Sequence, residues 1–233
     1  MPNIFRKLRR SNMKSTKYLK YAVGEIFLVV IGILIALSIN NWNTKNQFSK
    51  WEKQYLIDLE NELSANLEQL QEVDSIQSLV GESLERTIAV LENDPENINE
   101  LNLNYQIVQS QNPTFFPTSG VYETSLASGK IEEIKNNKLK YEIMNLYNRY
   151  FERTMYNGEV LDGVVEKIDW DILIYWDSRT QKFKPLKKAY GSELIKLMNY
   201  HLEQNQVYTQ IVKTNITKLI ELKSSVDQEL NNT

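Results

Sequence analysis

Ile26 to Leu37 is a run of twelve residues without a polar side chain, and it constrains everything around it. Extended to Tyr21 and Trp42 the segment has 22 residues, which as a helix measures about 33 Å, enough to cross a bilayer core. Seven basic residues (Arg6, Lys7, Arg9, Arg10, Lys14, Lys17, Lys20) precede it without one acid. That asymmetry favours a cytoplasmic N-terminus. Tyr18 and Tyr21 at one end and Trp42 at the other suit the two membrane interfaces. The expected organisation is a basic cytoplasmic tail (1–20), a single transmembrane helix (21–42) and an extracytoplasmic domain (43–233). A cleavable signal peptide is the rival reading. The apolar core Ile26–Ile39 has the length of such a segment, and Ala36-Leu37-Ser38 places small residues where a signal peptidase cuts. Against cleavage, helix-compatible sequence continues past Trp42.

The formal charge of −3 conceals a split. The tail carries seven of the 27 basic residues, so the rest sets 20 bases against 30 acids. An acidic outer domain has no electrostatic reason to bind nucleic acid. The basic tail reads as a topology signal and a contact for anionic lipid. With no cysteine, disulfides, thiolate zinc sites and cysteine nucleophiles are excluded.

Beyond the anchor, Leu56, Leu59, Leu63, Leu67, Leu70, Val73, Ile76, Val80, Leu84, Ile88 and Leu91 advance 35 residues in ten steps. That mean spacing predicts a long helix with a coiled-coil-like seam. Glu60, Glu62, Glu68, Glu72, Glu82 and Glu85 are expected on its solvated side, and a break is plausible at Asn40–Asn46. Asn93-Asp94-Pro95 ends the helix. Residues 96–137 form an irregular distal cap: a strand or short helix over 101–108, a proline-rich loop over 111–120, and a short helix capped by Thr118 and ended at Gly129. Asn136 or Asn137 then caps a second long helix to about Tyr175, with Leu139, Ile143, Leu146, Tyr150, Leu161, Val164, Val165, Ile168 and Ile172 inward. A basic turn (Arg179, Lys182, Lys184, Lys187, Lys188) precedes a third helix from about Ala189 to Leu230. The expected fold is all-α: a membrane helix followed by an elongated up-down-up bundle. In that arrangement the second helix returns towards the bilayer and brings the basic turn with it.

The segment Lys17–Asn43, with its Gly24-Glu25-Ile, Gly32-Ile-Leu-Ile-Ala36-Leu and Ile39-Asn-Asn-Trp-Asn43 elements, resembles the opening of an uncharacterised domain-of-unknown-function family. That family comprises single-pass membrane proteins of Gram-negative Bacteroidota. Phe116–Glu123 and Ser128–Asn136 are similar to its mid-chain pattern. The resemblance implies a bacterial inner-membrane anchor with a mostly helical periplasmic domain, and it implies no activity.

Individual residues point to contacts rather than chemistry. Glu25 is a carboxylate one turn inside the apolar segment, and such residues are functional candidates by default. It shares a helical stripe with Val29, Gly32, Ala36 and Asn40. Gly32-x-x-x-Ala36 is a small-residue face that lets two helices approach. Glu25, Gly32 and Ala36 are therefore expected to touch another membrane helix, in a homo-oligomer or a membrane-protein partner. Phe115, Phe116 and Tyr122 are the residues from which a partner patch in the cap would be built, unless the rings close the bundle instead. Glu159, Asp162, Glu166 and Asp169 read as a solvated helix face rather than a cation site. His201 is the only histidine and reads as a bundle residue. Ser125-Leu-Ala-Ser128-Gly-Lys130 has the spacing of neither a serine–lysine nucleophile nor a phosphate loop. No catalytic residue, cofactor or metal site is expected. The leading expectation is a membrane-tethered interaction or scaffold protein, the alternative an extracytoplasmic sensory or ligand-binding domain signalling through a membrane partner, and an enzyme stands third.

Overall fold

The computed structural model describes the backbone of residues 3–185 and 191–232, with side chains over 18–185 and 191–231. Lys187, Lys188 and the expected helix start at Ala189 lie outside the described residues. Among the described residues the chain is all-α apart from one hairpin of two two-residue strands. The order is α1 (Asn3–Asn93), α2 (Ile98–Ser110), α3 (Gly120–Ala127), a 3-10 turn (Lys130–Glu133), α4 (Asn137–Asn145), a π-helical turn (Leu146–Phe151), α5 (Glu152–Ile172), β1 (Trp176–Asp177), β2 (Lys182–Phe183) and α6 (Gly191–Asn232).

Two compact units are present, Met1–Gln54 and Tyr55–Thr233. In the first, the apolar side chains from Ile26 to Ile39 are exposed except for the half-buried Ile31, and the helix is long and apolar enough to cross a membrane. The expected break at Asn40–Asn46 is not there. The helix continues, and the Ser38 and Thr44 hydroxyls donate back to the Leu34 and Asn40 carbonyls, satisfying themselves on the helix.

In the second unit the leucine stripe of α1 is the core, with Leu56, Leu59, Leu63, Leu70 and Leu84 wholly buried. The direction of the other helices follows from their contacts with it. Asn205 of α6 donates to Gln77 of α1, and Lys223 of α6 donates to Ser64. Residue numbers rise on one helix as they fall on the other, so α6 is antiparallel to α1. Asn215 of α6 meets Thr154 of α5, and Glu229 meets Asn136 before α4. Hence α5 is antiparallel to α6 and parallel to α1. The bundle class is the one expected, but the second long helix does not return. Residues 94–136 make that descent themselves.

This changes where the ends lie. Ile88 and Leu91 of α1, Ile168 and Ile172 of α5, and Leu194 and Met198 of α6 share one cluster with α2 and the hairpin. The turn carrying Arg179, Lys182 and Lys184 therefore sits beside the end of α1, at the opposite end of this unit from Tyr55. Residues 101–108, open between strand and helix in the sequence, are helical and begin from an Asn97 cap. Tyr105 of α2, Trp176 of β1 and Phe183 of β2 pack as three mutually contacting rings 4.9–5.1 Å apart. The Phe183 N–H donates to Asn102 Oδ1 at 2.7 Å, tying hairpin to helix. Gly129 ends α3 as expected, at φ 70°, and Asn136 caps α4.

Because the chain has no native cysteine, the helix order can be read by crosslinking. Ser64→Cys combined with Lys223→Cys should be joined within one chain by a short bismaleimide, giving a shifted band on denaturing gels. In an up-down-up order of the three long helices those residues would lie at opposite ends of the bundle, and no such band would form.

Candidate functional site

The descending segment is where the polar chemistry of this domain concentrates. From Gln77 down to Glu62, one polar stripe of α1 meets the backbone of residues 112–122 running the other way. Gln77 Nε2 donates to the Pro113 carbonyl (2.8 Å), and the Phe116 N–H donates to Gln69 Oε1 (3.2 Å). Asn66 exchanges two bonds with Thr118, accepting from its N–H and donating to its carbonyl, both at 2.8 Å. Glu62 then accepts from the N–H groups of Val121 (2.7 Å) and Tyr122 (3.3 Å). The lengths agree: fifteen residues of helix rise about 22 Å, and eight residues of extended chain cover about 25 Å. A half-buried segment without a strand partner thus has main-chain groups satisfied by amide and carboxylate side chains.

Two other helices close on the same segment. The Tyr208 hydroxyl of α6 accepts from the Phe115 N–H at 2.9 Å. Asp162 of α5 accepts from Asn112 (2.8 Å) and Thr114 (3.2 Å). Gly158, which on sequence grounds weakens the middle of its helix, is what lets the segment pass. A Cβ there would lie 3.1 Å from Thr114 Cβ and 3.4 Å from the Tyr208 hydroxyl.

Glu62 is buried, against the expectation that it faces solvent. Its charge is compensated by three donors, two of them at the positive end of α3 and the third the Tyr147 hydroxyl at 2.6 Å. Thr118, the expected cap of α3, is instead taken by Asn66, and Glu62 reaches across from another helix to fill the role. The π-helical turn carries Tyr147 and Phe151, both buried. Burial, then the hydrogen bond to Glu62 and its negative charge, push the Tyr147 phenol far above its usual range. Burial likewise raises Tyr55 and Tyr208 to about 12. These phenols are neutral donors and acceptors at any physiological pH.

The residues singled out from sequence fall in separate places. Phe115 packs on Phe151 (5.1 Å, 66°), and Tyr122 stacks on Tyr147 (4.2 Å, 7°). Both are buried and only Phe116 is exposed, so the three rings do not form a surface patch. Glu25, Gly32 and Ala36 are exposed on α1. Of the four acids singled out on α5, Glu159, Glu166 and Asp169 are exposed and Asp162 is half-buried, and the two aspartates accept from the 109–114 segment. No group of acids or histidine with metal-site geometry occurs among the described residues. Glu62, Asn66, Gln69 and Gln77 went unrecognised in the sequence. The signal was present: four polar residues at helical spacing, running beside the leucine stripe.

A second polar feature lies between α1 and α6, a groove of about 410 Å³ bordered by Ser78, Gly81 and Glu85 on one side and Asn205, Thr209 and Lys213 on the other. Gly81 admits the Asn205 side chain, whose Oδ1 lies 2.8 Å from where a Cβ would stand. Asn205 in turn donates to Gln77 (2.7 Å) and so joins the groove floor to the seam. His201 is one helical turn further along α6. Both its ring nitrogens are buried without a hydrogen-bond partner, and burial lowers its pKa to about 4.

The fold and its polar seam define a helical bundle that follows an exposed apolar helix in the chain, with no recognisable catalytic centre among the described residues. The chain belongs to a family of unknown function, DUF6090, whose model matches residues 25–226. No curated protein and no solved structure matches it.

Glu62→Ala should destabilise the domain by about 3 kcal/mol, since it strands two buried N–H groups and a phenol. Tyr147→Phe should cost roughly half as much, both read from urea unfolding midpoints. His201 gives a pH signature of defined sign. Its pKa is lower folded (about 4) than unfolded (6.5), so the stability is full above pH 6.5 and is lost as pH falls towards 4. The loss is roughly 3 kcal/mol. His201→Leu should flatten that part of the stability profile, measured by thermal unfolding against pH.

Proposed function

We propose that this chain is a bacterial single-pass inner-membrane protein whose helical domain stands in the periplasm and works by binding rather than by catalysis, as an interaction or scaffold protein. The observation that carries the reading is the Ile26–Ile39 surface. Its side chains are exposed on a helix long enough to span a bilayer, and in water such an apolar surface is costly. The preceding basic residues support a cytoplasmic N-terminus. Glu25, Gly32 and Ala36, exposed on one helical stripe, are the proposed contact with a second membrane helix, either another copy or a membrane partner.

A second reading, an extracytoplasmic ligand-binding domain that signals through a membrane partner, is favoured by one specific feature. The α1–α6 groove is polar, within the volume range of small-molecule sites, and has a buried, unpartnered Thr209 hydroxyl at its edge. The expected aromatic patch for a protein partner is reduced to Phe116.

In the expressing bacterium the chain should stay in the membrane pellet after alkaline carbonate extraction. Protease added to spheroplasts should digest the domain beyond about residue 43 and spare an N-terminal tag. Release by carbonate, or a protected C-terminal domain, would overturn the anchored topology. Gly32→Cys should give a disulfide-linked dimer or a crosslink to another membrane protein, and only monomer would remove the proposed helix contact.

A further inference from the structure

The groove between α1 and α6 has a charge layout with a direction. Asn205 is level with Gln77 and Gly81, and Lys213 is level with Asp74, its Nζ 3.8 Å from Asp74 Oδ1. Glu82 and Glu85 stand on α1 at the other end. Along the helix axis Asp74 and Glu82 are about 12 Å apart. Helical side chains lean towards the N-terminus of their own helix. Since α1 and α6 are antiparallel, the glutamates lean down the groove and Lys213 leans up it, and the two ends of the charge pattern approach each other. Between them the lining is mostly hydrogen-bonding: Ser78, Asn205, Gln206, Thr209 and Gln210, with Leu202 as the apolar member and no aromatic ring. Thr209 is more than nine-tenths buried and its hydroxyl has no partner. Buried polar atoms are nearly always satisfied, so an unpartnered hydroxyl in the wall of an open groove needs a cause.

We infer that this groove is a binding site for a short zwitterionic peptide, its ammonium group held by Glu82 and Glu85 and its carboxylate by Lys213 and the Thr209 hydroxyl. This rests on the ligand-binding reading. Two or three residues of extended peptide span about 7–10 Å, which fits the gap left once the side chains lean inwards. The peptide's own N–H and C=O groups meet Ser78, Gln206 and Gln210. A lipid or aromatic ligand finds only Leu202 as an apolar side chain here, and an anion or a cation alone leaves one end of the groove unmatched. Glu82 is drawn on by Arg86 at 3.6 Å on the open surface, an exposed pair that a ligand ammonium can displace at small cost.

The test is calorimetric titration of the full chain in detergent micelles with Ala-Ala, Ala-Ala-Ala and the doubly capped N-acetyl-Ala-Ala-amide. The zwitterions should bind saturably, and the capped peptide at least tenfold more weakly. Lys213→Met, Glu85→Gln and Thr209→Val should each weaken Ala-Ala-Ala at least fivefold while circular dichroism and melting stay as in the wild type. Equal binding of the capped peptide, or no saturation by any zwitterion at millimolar concentration in a folded chain, overturns the ligand class. Gln206→Trp, which fills the groove, separates the two levels. If another polar solute binds and this variant abolishes it, the ligand-binding reading stands without the peptide. If the variant matches the wild type against every solute bound, that reading falls too.

Discussion

The carboxylate of Glu62 is the constraint on which the domain's arrangement turns. A buried charge is tolerated only when it is met by donors, and here the donors come from two places remote in sequence, the first turn of α3 and the π-helical turn before α5. Satisfying it docks residues 120–122 and Tyr147 against the same turn of α1. Once Tyr147 is held there, α5 has to start beside the beginning of the domain and run parallel to α1. The stacking of Tyr122 on Tyr147 and the packing of Phe151 against Phe115 then close the region.

The rest of the polar stripe extends that logic up the bundle. Proline at 113 and 117 denies residues 112–119 a helix and leaves them needing external partners for their remaining main-chain groups. Asn66, Gln69 and Gln77 supply those partners from α1 and Tyr208 from α6, while Asp162 of α5 holds the Asn112 and Thr114 side chains. The connector is pinned along the bundle with Phe115 buried and Phe116 left exposed. It occupies the position that a descending helix takes in an up-down-up order, which is why two of the long helices can run the same way.

The two polar features differ in kind. In the seam nearly every donor has found an acceptor, and such a network fixes structure. In the groove, the Thr209 hydroxyl is left over while Asn205 one turn away donates to Gln77. Complete satisfaction is the mark of a support, and leftover hydrogen-bonding capacity beside an open space is the mark of a place to bind. The reading of the protein as a binding module rather than an enzyme rests on that contrast together with the exposed apolar helix, and it is a proposal.

What was legible in the amino-acid order is what depends on local periodicity. The apolar run, the leucine spacing from Leu56 to Leu91, the stop at Pro95, the Asn136 cap and the glycine end of α3 each involve residues within a few positions of one another, and all were readable. The buried face of α5 followed from the same rule. Tertiary structure alone decided the rest. Glu62 and Glu68 differ little by any local measure, yet one is buried and the other is solvated, because only Glu62 faces the end of α3. Gly158 reads as a helix weakness until Thr114 is seen passing over it, and the helix directions depend on pairings more than fifty residues apart. Periodicity specifies which face of a helix is buried; it carries no information about which distant segment buries it, and that choice fell to the hydrogen-bonding demands of one proline-bound connector.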